Sequence, residues 1–363
     1  AAEIAGQTVL IGLLVGTLAG LCGEAVAEAV VSIFKVEPVV HFQAVQYLRI
    51  TFWVFPMVLT FTMITSLYRG LGRTDIPMYL ALVVNIVNCA GCYLLVYGKH
   101  GFPRLGVAGA AYATSFAHVV GFLIAMAVLY GGKAQLRVHG NGMKCLNLRI
   151  VKEIFYLGLP SLGEQLFNNV SIMVSVFLIV YTGTVSFAAH QVGVTVESLS
   201  YMPGFGIAIA AASLVGQSVG ARNRQQVLRV ARGSLEMAVL FMGVLGLSFA
   251  LIPYHIASLF TNDKAIISIA GLLLRIASLE QITIALTMVL GGILKGAGDT
   301  RTPMRIIVLC TWGYRIPLLY LVIRVWHLPI QCVWVILVSD WLIRSILFGI
   351  VYRRKRWLSR ALA

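Results

Sequence analysis

Apolar residues in this chain come in long runs, unlike the alternation of a half-buried strand or the one-sided stripe of a surface helix. A helix needs about 20 apolar residues to cross the hydrocarbon core of a bilayer. Ten runs reach that length, roughly at 5–34, 45–68, 76–98, 106–130, 154–181, 186–216, 233–260, 264–291, 303–326 and 330–352. The pattern predicts an all-α integral membrane protein with ten transmembrane helices. Barrel strands would read as ~10-residue alternating segments, which this chain lacks.

Two stretches echo each other. Gly70-Leu-Gly72-Arg-Thr74-Asp-Ile-Pro77-Met78 aligns with Gly296-Ala-Gly298-Asp-Thr300-Arg-Thr-Pro303-Met304. At the same offset Arg49 falls on Arg275, Phe34 on Phe260 and Glu37 on Asp263. The first four runs therefore correspond to the last four, and the fifth and sixth have no partner. That arithmetic predicts a parent of two pseudo-symmetric six-helix bundles, twelve helices in all, with about two spans upstream of this chain. The expected organisation is an N-terminal lobe at 1–132 with four of its six helices, a cytoplasmic linker at 133–152 and a C-terminal lobe of six helices at 153–363. Halves repeated in parallel place a transporter's substrate site between them. In the repeated loop, glycines permit a tight turn, Thr74 and Thr300 are expected to cap the following helices, and Pro77 and Pro303 suit the first turn. The loop lacks the Gly-Lys-Ser/Thr ending of a phosphate-binding loop.

Composition agrees: 59% of residues are hydrophobic and 11% charged, too apolar for a soluble domain with a polar surface. The net charge of +15 invites a nucleic-acid reading, but its distribution follows the membrane. Lys133, Arg137, Lys144, Arg149 and Lys152 follow the fourth run, and Arg222, Arg224, Arg229 and Arg232 follow the sixth. Arg353, Arg354, Lys355, Arg356 and Arg360 close the chain, and Arg69, Arg73, Lys295, Arg301 and Arg305 lie on the same side. Lys35, Lys99, Arg104, Lys264 and Arg324 are opposite. The positive-inside rule then puts both termini in the cytoplasm of a cell in whose inner or plasma membrane the protein sits. The basic excess reads as topology, with anionic lipid as a contact, and not as nucleic-acid binding. Of the six cysteines, Cys22, Cys89, Cys92, Cys310 and Cys332 lie in or near apolar runs and Cys145 in the linker, so no disulfide framework is implied.

The repeated loop also carries a resemblance. Leu294-Lys295-Gly296-Ala297-Gly298-Asp299-Thr300-Arg301-Thr302-Pro303 is similar to the best-marked loop of the multidrug and toxic compound extrusion (MATE) family. Ala188-Ala189-His190-Gln191, Glu197-Ser198-Leu199, Met202-Pro203-Gly204 and Val215-Gly216-Gln217-Ser218-Val219-Gly220-Ala221 resemble its eighth helix and the loop after it. Gly158-Leu159-Pro160 with Glu164-Gln165 resembles the start of its seventh. The resemblance implies a twelve-helix fold whose third to twelfth helices are present, and export of organic, often cationic, drugs or toxins in exchange for inward H⁺ or Na⁺. No other cofactor is implied; the implied partners are small organic molecules and the lipid bilayer, with a monomer as the functional unit. One branch carries Asn-x-x-Asn-x-x-x-Asp in its fifth helix; Asn85 and Asn88 match it and Cys92 replaces the aspartate. Another has acids in its seventh and tenth helices, where Asn168 and Ile284 stand here.

An ionisable group at the bilayer centre costs about 2.5–3.5 kcal/mol on insertion scales, so each one asks for a reason. Asp340 and Arg344, one turn apart, are expected to form a structural ion pair, and Arg315, beside Pro317, to be the structural counter-ion of the candidate glutamates Glu164, Glu197 and Glu280. Glu164 lies one turn beyond Pro160 with Asn168 on the same face and no cation at pairing distance in its own helix. One negative site contested by two cations is the physical core of antiport. Glu197 lies in a span where Gln191, Thr195 and Ser198 share a face, and where Pro203 and the glycines after it are expected to break or kink the helix. Glu280 completes a candidate cavity of Glu164, Asn168, Gln191, Glu197, Glu280, Asn85 and Asn88. The rival readings are a flippase for lipid-linked saccharides, which would call for a cationic cavity, and a non-transporting truncated remnant. A membrane-embedded enzyme would need a catalytic motif, and His-Glu-x-x-His does not occur.

Overall fold

The computed structural model describes residues 2–33, 36–131 and 148–362. Phe34 and Lys35, and from the linker Lys133, Arg137, Lys144 and Cys145, lie outside the described residues. The described elements are all helical. In order they are α1 (Ala2–Ile33), α2 (Pro38–Gly70), α3 (Asp75–Tyr97), α4 (Gly106–Tyr130), α5 (Leu148–Val180), α6 (Thr184–Gly220) and α7 (Arg224–Leu251). A short α8 (Pro253–Ser258) leads to α9 (Lys264–Ala277) and α10 (Gln281–Gly296). Then α11 (Arg301–Val308) and α12 (Ile316–Tyr320) are joined by π-helical turns over Leu309–Arg315, and a second π segment covers Leu321–Val325. α13 (Ile330–Arg353) and α14 (Arg356–Leu362) close the chain. Among the described residues nine helices are long and apolar enough to span a membrane, and up to ten spans result where α9 and α10, bent by 52°, count together as one broken span.

The helices gather into two compact units, Ala1–Ile154 and Phe155–Ala363. In the first, α1 lies along α2, and α4 packs on both α2 and α3. A glycine stripe brings α1 and α2 together. A Cβ on Gly16 would lie 2.6 Å from the Cα of Pro56, and one on Gly20 2.7 Å from the carbonyl oxygen of Phe52. Small residues drive such contacts because lipid tails offer no hydrophobic incentive for helices to associate. In the second unit α6 packs on α7 and α10, and α10 on α13. Gly292 and Gly296 there repeat the device: an added Cβ would sit 2.4 Å and 2.3 Å from the carbonyls of Ala208 and Ala212 on α6.

The repeated loops fold alike. Gly72 N donates to Arg69 O and Arg73 N to Tyr68 O, both at 3.0 Å. Gly298 N donates to Lys295 O at 3.0 Å and Asp299 N to Leu294 O at 2.9 Å. These are Schellman closures, and Gly72 (φ 79°) and Gly298 (φ 85°) hold the left-handed position. A third copy closes α6, with Arg222 N to Val219 O and Asn223 N to Ser218 O, but with Arg222 at φ 51° where the others have glycine.

Two local expectations are corrected. Thr74 and Thr300 make no side-chain cap, because each is already helical (ψ −17° and −18°) instead of extended. Asp299 caps α11 in their place, accepting from Thr302 N at 3.0 Å and from its hydroxyl at 2.7 Å. Of the break or kink expected at Pro203, no break is seen: α6 runs through it as one helix, with Met242 and Met288 packed beside Gly204. The break falls instead at Ser278-Leu279-Glu280, with no proline or glycine to mark it.

Candidate functional site

The spans of the second unit pass through two apolar clusters with one polar layer between them. α6 runs from Ala189 and Val196 in one cluster to Ala208, Ala211 and Val215 in the other. Glu197, Ser200 and Tyr201 occupy the interval. The α9–α10 span has Leu274 and Ala277 in the first cluster and Ile284 and Ala285 in the second, with Glu280 between. Thr311 and Arg315 separate Cys310 from Leu319, and Asp340 and Arg344 separate Ile336 from Phe348. Four spans thus put their polar groups at one height.

Irregular backbone sets two of these groups. Glu280 sits at the bend, and Arg315 ends the π-helical turns that precede Pro317. Proline has no N–H to donate and its ring crowds the carbonyl four residues back, so a widened turn relieves the conflict. Non-helical backbone at membrane depth is tolerated where protein or a cavity surrounds it, and here both irregularities border the polar layer.

Asp340 is the anchor of the layer. Its Oδ2 lies 2.6 Å from Arg315 and 2.8 Å from Arg344, and Arg344 Nε reaches Oδ1 at 3.2 Å. Arg344 also donates to Thr311 Oγ1 at 2.6 Å. The carboxyls of Glu197 and Glu280 lie within hydrogen-bonding reach of one another, close to Arg315, and Tyr201 adjoins Glu197. Glu280 is 1% exposed and Asp340 is fully buried. Glu197 Oε1 and Glu280 Oε2 are buried and receive no hydrogen bond from the protein, and Arg315 Nε has no acceptor. Two guanidiniums face three carboxylates, so the layer carries one uncompensated negative charge when all are ionised. Buried charge of that kind is costly unless paired, and one proton or one monovalent cation balances it.

The remaining candidates lie apart from this layer. Glu164 Oε1 is 2.7 Å from Lys295 Nζ, a partner 131 positions away that spacing along one helix could not reveal. Asn168 is half-buried on the same helix. Gln191, Thr195 and Ser198 share an exposed face of α6 that is turned away from buried Glu197, so Gln191 does not join it. In the first unit Asn85 is exposed, while Asn88 donates to Thr114 at 3.2 Å and accepts from Cys92 at 3.2 Å, which ties α3 to α4. Glu24 and Glu28 meet Arg49 at 3.4 and 3.5 Å. Thr311 and Lys295 are not legible as site neighbours, since each acts across helices, whereas Tyr201 lies one turn from Glu197 on α6, a spacing that could have found it.

The MatE family model matches residues 1–94 and 160–321. The chain is 32% identical over 298 residues to a probable multidrug resistance protein NorM of Thermotoga maritima, covering 82% of this chain and 64% of that protein. It is 31% identical over 306 residues to a probable NorM of Halalkalibacterium halodurans, covering 83% and 66%. The chain thus spans just under two thirds of the length of these two relatives. Among solved structures, a MOP superfamily transporter from Pyrococcus furiosus, described as having a binding pocket of reverse polarity that suggests a different function, superposes with a TM-score of 0.90 at 18% identity, covering 99% of this chain and 79% of that one. The family match over most of the chain, the ten-span fold and the repeated Gly-x-Gly loops lead to one assignment: this chain belongs to the MatE family of multi-pass membrane transporters.

Proposed function

We propose that the protein is a secondary antiporter that exports organic, often cationic, compounds in exchange for H⁺ or Na⁺, and that the Glu197–Glu280 pair holds the coupling ion. The observation that carries this reading is the charge count of the polar layer: Asp340 is taken by two arginines, and two adjoining glutamates share what cation remains. Taking up one proton or one Na⁺ neutralises the layer, and releasing it restores the negative charge. Because Glu280 sits at a bend and Arg315 at a π-helical turn, a change of charge there acts on backbone that can shift with little loss of hydrogen bonding. The names of the relatives support drug efflux as the direction of work. The acidic excess of the layer favours cation antiport over a lipid-linked saccharide flippase, whose pyrophosphate cargo would call for net positive charge. We place the protein in the inner or plasma membrane with both termini cytoplasmic, on the distribution of basic residues.

The test is export of ethidium from proteoliposomes under an imposed pH or Na⁺ gradient. Glu280→Gln and Glu197→Gln remove one negative charge each and leave the layer neutral without an ion. Both variants should lose gradient-driven export. Export at the wild-type rate in both would overturn the assignment.

A further inference from the structure

We infer that Lys295 is a tethered cation that holds the Glu164 carboxylate when no soluble cation is there, and that Na⁺ or an organic cation binds Glu164 by displacing it. Glu164 is a half-made site. Lys295 Nζ occupies Oε1 at 2.7 Å, while Oε2 is buried with no partner. The two side chains differ in access: that of Glu164 is 9% exposed and that of Lys295 36%. The ammonium therefore has a route to water that the carboxylate does not. A lysine is suited to leaving, since its head is a strongly hydrated point charge on a flexible stem, unlike the rigid bidentate fork of arginine. Asp340 shows the contrast inside the same unit, for its two arginines are themselves nearly buried, and Arg344 is bound at several points.

Lys295 also ends α10 just before the Schellman turn, where Gly298 N bonds its carbonyl, so its backbone is fixed and only the side chain is free to swing. Displacing Lys295 moves its positive charge toward water as another arrives. The site stays neutral whether loaded or empty, and a low-dielectric wall is never left with a bare carboxylate. The ligand chemistry is a monovalent cation; whether the coupling ion or the exported compound supplies it is separated by the two probes below. The role in transport rests on the antiport reading, but the exchange itself is measured without transport.

The experiment is site-resolved acylation of Lys295 in the purified protein, read by mass spectrometry, with Lys264 as internal reference. Rates are compared in choline, in Na⁺ at equal ionic strength, and with ethidium. Faster labelling of Lys295, by several-fold, in Na⁺ or in ethidium names the cation that takes Glu164. Glu164→Gln should label at the fast rate with no cation added. Lys295→Gln removes the competitor and should bind the responding cation several-fold more tightly, because apparent affinity falls with the fraction of sites already occupied internally. Lys295→Arg, which keeps the charge, should not gain that affinity and serves where Lys295→Gln fails to fold. Unchanged labelling in both cations, or a Glu164→Gln variant that labels like wild type, overturns the proposal. Neither outcome depends on export, so failure of the antiport reading shows separately in the liposome assay.

Discussion

Arg315 and Asp340 meet at 2.6 Å across two helices, with Arg315 ending a π-helical turn and Asp340 fully buried. The contact joins the π-helical segment Leu309–Arg315 to the regular helix α13. Arg344 shares the same carboxylate at 2.8 Å.

Asp340→Asn should therefore be severe. It removes the carboxylate that both guanidiniums bind, and breaking a buried pair costs about 3–5 kcal/mol. We expect a large fall in apparent Tm in detergent. Adding Arg315→Gln to it should recover part of the loss. A double variant whose loss equals the sum of the singles would contradict the shared-carboxylate arrangement.

The close crossing of α6 and α10 gives a second prediction. Gly296→Val places side-chain atoms where the Ala212 carbonyl already lies 2.3 Å from an ideal Cβ, and overpacking of this kind costs about 1–3 kcal/mol. Gly291→Ala, whose Cβ would meet only Phe348 at 3.9 Å, should be neutral or stabilising. Thermal unfolding of the two variants side by side decides it; equal losses would mean the crossing is looser than described.

Arg222 holds a left-handed backbone where the repeated loops have glycine. An L-residue with a Cβ pays roughly 1–2 kcal/mol for that conformation. Arg222→Gly should raise stability by about 1 kcal/mol, read as a higher apparent Tm. A fall would show that the arginine side chain contributes more than its backbone costs.

How far the sequence reached can be seen in particular residues. The spans were legible because apolar length is set by the bilayer, and the Gly70 and Gly296 loops because both need φ > 0 at the same place. Asp340 and Arg344 are one turn apart, so their contact is visible from spacing alone. Glu164 and Lys295 are not, since they lie on different helices 131 positions apart. Gln191 and Glu197 share a span, yet the 100° step of a helix sets them about 120° apart, one exposed and one buried. The bend at Ser278-Leu279-Glu280 carries no breaker residue, and Pro203, which is one, sits in a continuous helix.

The most direct measurement is ethidium export by Glu280→Gln proteoliposomes, under separate pH and Na⁺ gradients, against wild type. Wild-type export driven by one of the two gradients, and its loss in Glu280→Gln with the fold intact, is the predicted result. Undiminished gradient-driven export by Glu280→Gln would contradict a coupling role for the Glu197–Glu280 pair.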